Sequence, residues 1–315
     1  MFWEKVLTEA FVLGLLAAGV RLATPLLLAA LGEIFAERSG ILNIGVDGMM
    51  LIGALCGFLG SYYTGVPCIG ALTGMLGAGM ISLIHAYLSV SLATDQVVSG
   101  LAINLLCLGL ATFLNRGIFG MPLLPPQAAS FPPIAIPLLS EIPYIGPALF
   151  NHHALVYLAL LLVPISYVVL FKTTFGLRIS AVGEDPRAAE AVGVNVRRVR
   201  YACVFIGGML AGMGGATLSL AQLSFFKESI VAGRGFIAIA VVMLGRWNPL
   251  GALIAALIFG IADAFQLHLQ AVGVTTVPSQ LLLSLPYLVT IVALLIRVGR
   301  PVLPAALGIP YTKER

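Results

Sequence analysis

Nine apolar segments, most of them close to twenty residues long, dominate this sequence and restrict what it can fold into. A helix needs about 20 mostly apolar residues to cross a bilayer. Helices are the structures that satisfy their own backbone hydrogen bonds there within a single segment. The segments lie near Phe11–Leu31, Ile41–Gly60, Pro67–Leu88, Val97–Asn115, His153–Phe171, Tyr201–Gln222, Phe236–Leu244, Gly251–Leu269 and Gln280–Arg297.

Composition supports the same fold class. Hydrophobic residues make up 60% of the chain and charged residues only 10%, whereas about a quarter of an ordinary soluble domain is charged. Lipid must therefore be the solvent for most of the surface. The sequence predicts an all-α fold, a polytopic membrane helical bundle of about 8–10 transmembrane helices. We expect residues 1–315 to form a single transmembrane domain.

Basic residues indicate the orientation of the bundle, because short cytoplasmic loops are enriched in Lys and Arg. The loop 172–200 and the tail after Leu295 carry most of them, so both are predicted to be cytoplasmic. Counting spans backwards places the proline-rich loop 117–151 and the N-terminus outside. We expect a multi-pass protein of the bacterial inner membrane.

Glycines and polar residues interrupt two of the apolar segments. Asn43 and Asp47 lie one helical turn apart in Glu37–Met50, and the short span within Ala232–Gly251 ends at Asn248 and Pro249. Such segments favour broken helices that line a polar passage. Because the two run in opposite directions, they indicate an inverted repeat. Alternatively, Asp47 pairs with an arginine such as Arg38 and only fixes packing.

A short helix is predicted inside the cytoplasmic loop. Asp185 suits the N-cap, Pro186 the first helical position, and Gly193 the left-handed residue that follows the helix. The helix either connects two spans or docks into a soluble partner. In the spans themselves, Gly53 and Gly57, Gly70 and Gly74, and Gly208 and Gly212 are spaced for close helix packing.

The loop and the stretch Phe205–Ala216 that follows it resemble the permeases of ribose and branched-chain amino-acid ABC importers. The segments Glu37–Met50 and Gly233–Gly251 resemble the nucleoside and simple-sugar branch more narrowly, as do Asp95–Gly100 with Asn104 and the pair Pro286 and Tyr287. The resemblance implies a permease that translocates nucleosides, with ribose or another simple sugar as the alternative and branched-chain amino acids third. A rival of a different class is an ion-coupled secondary transporter, which the broken helices with Asp47 and Asp263 favour.

The resemblance also implies partners. The short loop helix would be the coupling helix, seated in a groove of an ATP-hydrolysing subunit. Its residues are Gly183, Glu184, Asp185, Pro186, Arg187, Ala188, Ala189, Glu190 and Gly193. The chain has no Gly-x-x-x-x-Gly-Lys-Ser/Thr motif, so the ATPase subunit would bind ATP and magnesium, and this chain would be neither an enzyme nor a cofactor protein.

The other expected partners are membrane lipid, a second permease and an extracytoplasmic substrate-binding lipoprotein. The permease pair is expected to be a heterodimer, with a homodimer left open, and the lipoprotein would face the loop 117–151. The chain has no basic stripe with interleaved aromatic residues, so no nucleic-acid partner is expected.

The small-molecule substrate restricts which side chains are candidates for the pathway. A nucleoside offers a flat base for stacking and ribose hydroxyls for hydrogen bonds. The candidates are Asn43, Asp47, Asn104, Gln222 and Phe236. No metal site is expected, since the adjacent His152 and His153 do not make one by themselves.

Overall fold

The computed structural model describes residues 9–137, 149–271 and 303–312, together with the single positions 140, 146, 284, 288, 289, 291 and 292. Seven helices within this part of the chain are long and apolar enough to cross a membrane, which confirms the polytopic helical bundle. The described helices are α1 (Glu9–Arg38), α2 (Val46–Thr64), α3 (Pro67–Ala86), α4 (Gln96–Phe119), α5 (Ala154–Lys172), α6 (Thr174–Glu184), α7 (Pro186–Ala191), α8 (Val196–Thr217), α9 (Arg234–Leu244) and α10 (Pro249–Ala271).

The predicted short span is α9, with 11 residues. The predicted span Gln280–Arg297 lies mostly outside the described residues, as do Pro286 and Tyr287.

Helix α8 lies at the centre of the bundle and packs against α1, α2 and α3. The spaced glycines make this packing possible. A Cβ atom on Gly53 of α2 would lie 2.3 Å from the Cα atom of Gly212 of α8, and one on Gly212 would lie 2.5 Å from the carbonyl oxygen of Gly74 of α3. The glycine spacing therefore predicted a real three-helix contact, in which backbones meet without intervening side chains.

Helices α3 and α8 end in the same unusual way. Each continues into a five-residue π-helix, Tyr87–Ser91 after α3 and Leu218–Gln222 after α8. Each π-helix is followed by a non-glycine residue with positive φ, Ala93 at 52° and Ser224 at 61°. In the predicted orientation the two helices run in opposite directions, so this correspondence is the kind that an inverted repeat produces.

Part of the proline-rich outer loop packs over the bundle instead of extending into solvent. The N–H groups of Ala128 and Phe131 donate to the carbonyls of Ser224 and Leu220, at 2.9 Å each. Beyond them, β1 (Pro133–Ala135) and β2 (Asn151–His153) form a short antiparallel hairpin. The hairpin was not predicted.

Candidate functional site

A cavity of about 510 Å³ lies between α2, α4 and the start of α9, a size typical of small-molecule sites. Three of the five predicted pathway residues line it together: Asp47, Asn104 and Phe236. The complete lining is Asp47, Gly48, Leu51, Leu101, Asn104, Leu105, Leu108, Glu228, Ser229, Val231, Ala232, Gly233 and Phe236.

Asp47 lies where the first turns of two helices meet. It belongs to the first turn of α2, and its Oδ1 accepts a hydrogen bond of 2.9 Å from the N–H of Gly235 at the start of α9. A Cβ atom on Gly235 would lie 2.4 Å from the Cα atom of Asp47, so glycine is needed for this approach. The free N–H groups of a helix N-terminus favour a carboxylate.

The expected partner Arg38 is bound elsewhere. Its Nε donates to the carbonyl of Trp247 at 2.8 Å, and its guanidinium lies 4.5 Å from the ring centroid of Phe171. Arg234, beside Asp47, forms an ion pair of 3.4 Å with Asp263. The partner of Asp47 in the structure is therefore backbone.

Asn104 holds the start of α2 in place. Its Oδ1 accepts from the N–H of Gly48 at 2.7 Å, and its Nδ2 donates to the carbonyl of Ile44 at 2.9 Å. Both backbone groups lie where helical hydrogen bonding is interrupted. Asn104 therefore supplies hydrogen-bond partners to backbone groups at the break in the helix, and it also lines the cavity.

Asn43 and Gln222 do not line this cavity. Asn43 is fully buried, and its backbone N–H and Nδ2 donate to the two carboxylate oxygens of Glu33 at 3.1 and 3.3 Å. Gln222 donates from Nε2 to the carbonyl of Arg21 at 3.1 Å. The structure brings neither side chain to Asp47, and their roles in a pathway stay predictions.

Residues 39–45, which we call the first break, are enclosed by polar side chains from three helices. Besides Glu33 of α1 and Asn104 of α4, Gln96 of α4 accepts from the N–H of Leu42 at 2.7 Å. His85 of α3 lies 3.3 Å from the carbonyl of Leu42. Non-helical backbone at membrane depth persists where protein groups satisfy it.

The sequence reasoning missed the buried acids Glu33 and Glu37. Glu37 accepts a hydrogen bond from Nε1 of the buried Trp247. Their spacing of four residues at the end of the first apolar segment was the available signal, because carboxylates at that depth need partners.

Residues 223–233, which we call the second break, contribute another group that was missed. Glu228 accepts from Nε and Nη2 of Arg116 at 2.8 and 3.1 Å. Glu228 lines the cavity beside Asp47. It also lines a cavity of about 390 Å³ with Arg116, Phe119 and Phe226, which we call the outer cavity because the predicted orientation places it outside. Glu228 is thus shared by the two linings.

At the opposite, predicted cytoplasmic end, α7 has the structure that its sequence predicts. Asp185 accepts from the N–H groups of Arg187 and Ala188 at 2.9 and 3.0 Å, and Gly193 has a φ of 86°. Val192, an apolar residue, is 80% exposed beside it.

A groove of about 590 Å³ runs beside α7, and Glu190 and Tyr311 form part of its wall. The Tyr311 hydroxyl donates to the Glu190 carboxylate, and this hydrogen bond raises the pKa of Tyr311. The segment 303–312 also donates from Ala306 to the carbonyl of Gly183 at 2.8 Å and from Gly308 to that of Gly40 at 3.2 Å. It therefore connects the α6–α7 junction to the first break.

Three relatives resemble the chain over nearly its whole length. A guanosine ABC transporter permease of Bacillus subtilis is 39% identical, over 93% of this chain and 94% of the relative. A putative glucose ABC transporter permease of Haloferax volcanii is 39% identical, over 97% and 99%. A nucleoside ABC transporter permease of Lactococcus lactis is 36% identical, over 93% and 95%. No solved structure matches the chain.

A family model described as branched-chain amino acid transport system / permease component matches residues 15–296. It covers the spans, the cavity and the short cytoplasmic helix. The chain is therefore a multi-pass protein of the inner membrane and a member of the family of branched-chain amino acid transport system permease components.

Proposed function

We propose that this chain is the permease subunit of an ABC importer that carries nucleosides inward, using ATP hydrolysed by a separate subunit. The observation that carries the proposal is the cavity in which Asp47, Asn104 and Phe236 meet. Hydrogen-bonding groups beside an aromatic ring suit a ligand with a sugar and a flat base. Two of the three relatives described above are named for guanosine or nucleoside transport.

A simple sugar is the second candidate substrate, since the Haloferax relative is named for glucose. A sugar would use the polar groups of the cavity and leave Phe236, which is 47% exposed, without a stacking partner. Membership in a permease family of ABC importers speaks against the ion-coupled secondary transporter.

The cavity also supports a second permease. Leu105 on its rim is 72% exposed and Phe113, farther along α4, is 73% exposed. Packing of α4 against a partner permease would close the open side and exclude lipid from the path. We propose a heterodimer, in which the facing surface need not be self-complementary.

The α7 helix is proposed as the contact with the ATPase subunit. It is capped at both ends, and exposed Val192 and the adjoining groove provide apolar and polar contact surface. ATP-driven closure of two ATPase subunits would displace α7 and, through α8, the helices around the cavity. The outer loop 117–151 is proposed to face the substrate-binding lipoprotein.

Substrate-stimulated ATPase activity tests the proposal. The chain would be reconstituted in lipid with its ATPase, second permease and receptor. ATPase activity would then be assayed with receptor plus guanosine, adenosine, uridine, ribose, glucose or leucine. We expect stimulation by nucleosides. Stimulation by sugars or leucine alone would overturn the substrate, and the absence of coupling with any of them would contradict the importer.

A further inference from the structure

The Glu228 carboxylate occupies a position that no comparison or motif assigned. It lines the membrane cavity with Asp47 and Asn104 and also the outer cavity with Arg116. In the predicted orientation a solute that passes from the outer cavity to the inner one meets Glu228 first.

Arg116 orients the Glu228 carboxylate but leaves some of its hydrogen-bond acceptor positions unoccupied. Nε and Nη2 of Arg116 bind one carboxylate oxygen each, at 2.8 and 3.1 Å. A bidentate arginine pair defines the plane and direction of the carboxylate. Because an ionised carboxylate has about four acceptor positions, roughly two remain for other donors. The Glu228 side chain is 34% exposed, so those positions are accessible.

Much of the rest of the cavity lining is apolar. Leu101, Leu105 and Leu108 follow one another along α4 and, with Phe236, give an apolar wall. The cavity lining therefore combines two carboxylates, those of Glu228 and Asp47, with an apolar wall.

The two carboxylates differ in what they offer. Asp47 belongs to the first turn of α2 and accepts from the backbone N–H of Gly235 at the start of α9. Glu228 belongs to the non-helical second break and is oriented by a side chain, that of Arg116. Vicinal hydroxyls are two adjacent donors, which match two acceptor positions on one oriented carboxylate.

We propose that Glu228 is a specificity-determining residue for transport, whose carboxylate accepts hydrogen bonds from the ribose hydroxyls of the incoming nucleoside while Arg116 orients it. The base then lies against the apolar wall and Phe236. This inference rests on the proposed nucleoside function and identifies Glu228 as the group that recognises the ribose.

The test compares a ribonucleoside with its 2′,3′-dideoxy counterpart, guanosine with dideoxyguanosine, each at a concentration that saturates the receptor. Uptake is measured in the complete reconstituted importer. In the wild type we expect guanosine to be carried faster by on the order of tenfold, as for a hydrogen bond to a charged group. Glu228→Leu should bring this ratio close to one, and Glu228→Gln, which keeps one acceptor oxygen, should give an intermediate ratio.

Asp263→Asn is the matched control, since it also weakens an ion pair, that of Arg234, at a carboxylate outside the cavity lining. It should leave the ratio unchanged even where it slows uptake. Arg116→Gln, which frees Glu228 to rotate, should lower the ratio less than Glu228→Leu does.

An unchanged ratio in Glu228→Leu, with both uptake rates reduced equally or not at all, would overturn the inference and leave the nucleoside function standing. A wild-type importer that carries guanosine and dideoxyguanosine equally would overturn it too. Absence of any nucleoside uptake in the wild type would instead overturn the proposed function itself.

Discussion

The first break, residues 39–45, precedes the cavity-lining Asp47, whereas the second break, residues 223–233, contributes Glu228 to the lining itself. Their backbones are held differently. The first is held by Glu33, His85, Gln96 and Asn104, which come from three other helices. Within the described part of the chain, the backbone bonds of the second break are local, such as Ile230 to Lys227 and Arg234 to Val231, except for the bond from Ala128 to Ser224. Another long-range contact is the ion pair of Glu228 with Arg116.

This contrast indicates which of the two breaks can move more easily. Local stability follows the density of buried and long-range contacts. The first break is held rigidly, because opening it would expose several buried polar groups at once. The second break exchanges few bonds when it shifts, and it carries Glu228 and the start of α9. We therefore expect the second break to rearrange during transport.

The largest effect is expected from substitutions that disrupt α7, the helix proposed to transmit the movement of the ATPase subunits to the cavity. Asp185→Pro loses the carboxylate that caps α7, and Gly193→Pro cannot adopt a φ of 86°. Each should abolish uptake while membrane insertion and thermal stability stay close to wild type, because neither residue touches the first break. Asp185→Asn, which keeps a cap, should transport normally. Normal uptake by a correctly assembled proline variant would show that α7 does not transmit movement to the helices around the cavity.

The next effect is on stability and distinguishes the breaks directly. Asn43→Leu removes the Nδ2 donor to the buried Glu33 carboxylate and the Oδ1 acceptor for the Gly45 N–H, while the backbone donor of residue 43 stays. Two buried polar groups then lose a partner, which should cost about 3 kcal/mol. Ser229→Ala in the second break should change the free energy of unfolding by less than about 0.5 kcal/mol. Unfolding of the purified protein in detergent measures both. Similar losses in the two variants would remove the contrast.

A smaller effect is expected at the neighbouring residue of the first break. Gln96→Leu removes the acceptor for the Leu42 N–H, and an unpaired buried donor costs about 1–3 kcal/mol. Gln222→Leu, which breaks a more exposed bond to Arg21, is the control and should cost less. We expect the unfolding midpoint of Gln96→Leu to be lower than that of Gln222→Leu. The reverse order would contradict a tightly held first break.

The smallest effects are expected from two backbone conformations. Gly40 has a φ of 89°, and a Cβ there would lie 2.9 Å from Nη2 of Arg200. Gly40→Ala should therefore destabilise by about 1 kcal/mol or more. Ala232 has a φ of 50° in the second break, so Ala232→Gly should stabilise slightly, by a fraction of about 1 kcal/mol. Thermal unfolding checks the two signs; equal signs would contradict the expected effect of positive φ at one of the two positions.

Sequence reasoning succeeded where the signal was local. Asp185, Pro186 and Gly193 specify α7 by themselves, because cap residues act within one turn. Glycines four residues apart predicted close helix packing for a similar reason, since each pair marks one helix face. The structure then shows that Gly53 meets Gly212.

Sequence reasoning was weaker where a polar group takes a partner from far along the chain. Asn43 and Asp47 look equivalent in sequence, yet one faces Glu33 in the interior and the other faces Gly235 beside the cavity. Glu228 gave no signal because its importance depends on Arg116, 112 residues away. Hydropathy reports the cost of burying a side chain and does not identify the group that offsets it.

The segment 303–312 follows every described helix in the sequence, so a ribosome makes it after them. Its contacts with Gly40, Gly183 and Glu190 therefore form after the membrane bundle has been translated. A chain released early, before residue 303, would insert its spans but present α7 without Tyr311 at the wall of its groove. The surface that we propose for the ATPase subunit would then be incomplete in such a chain.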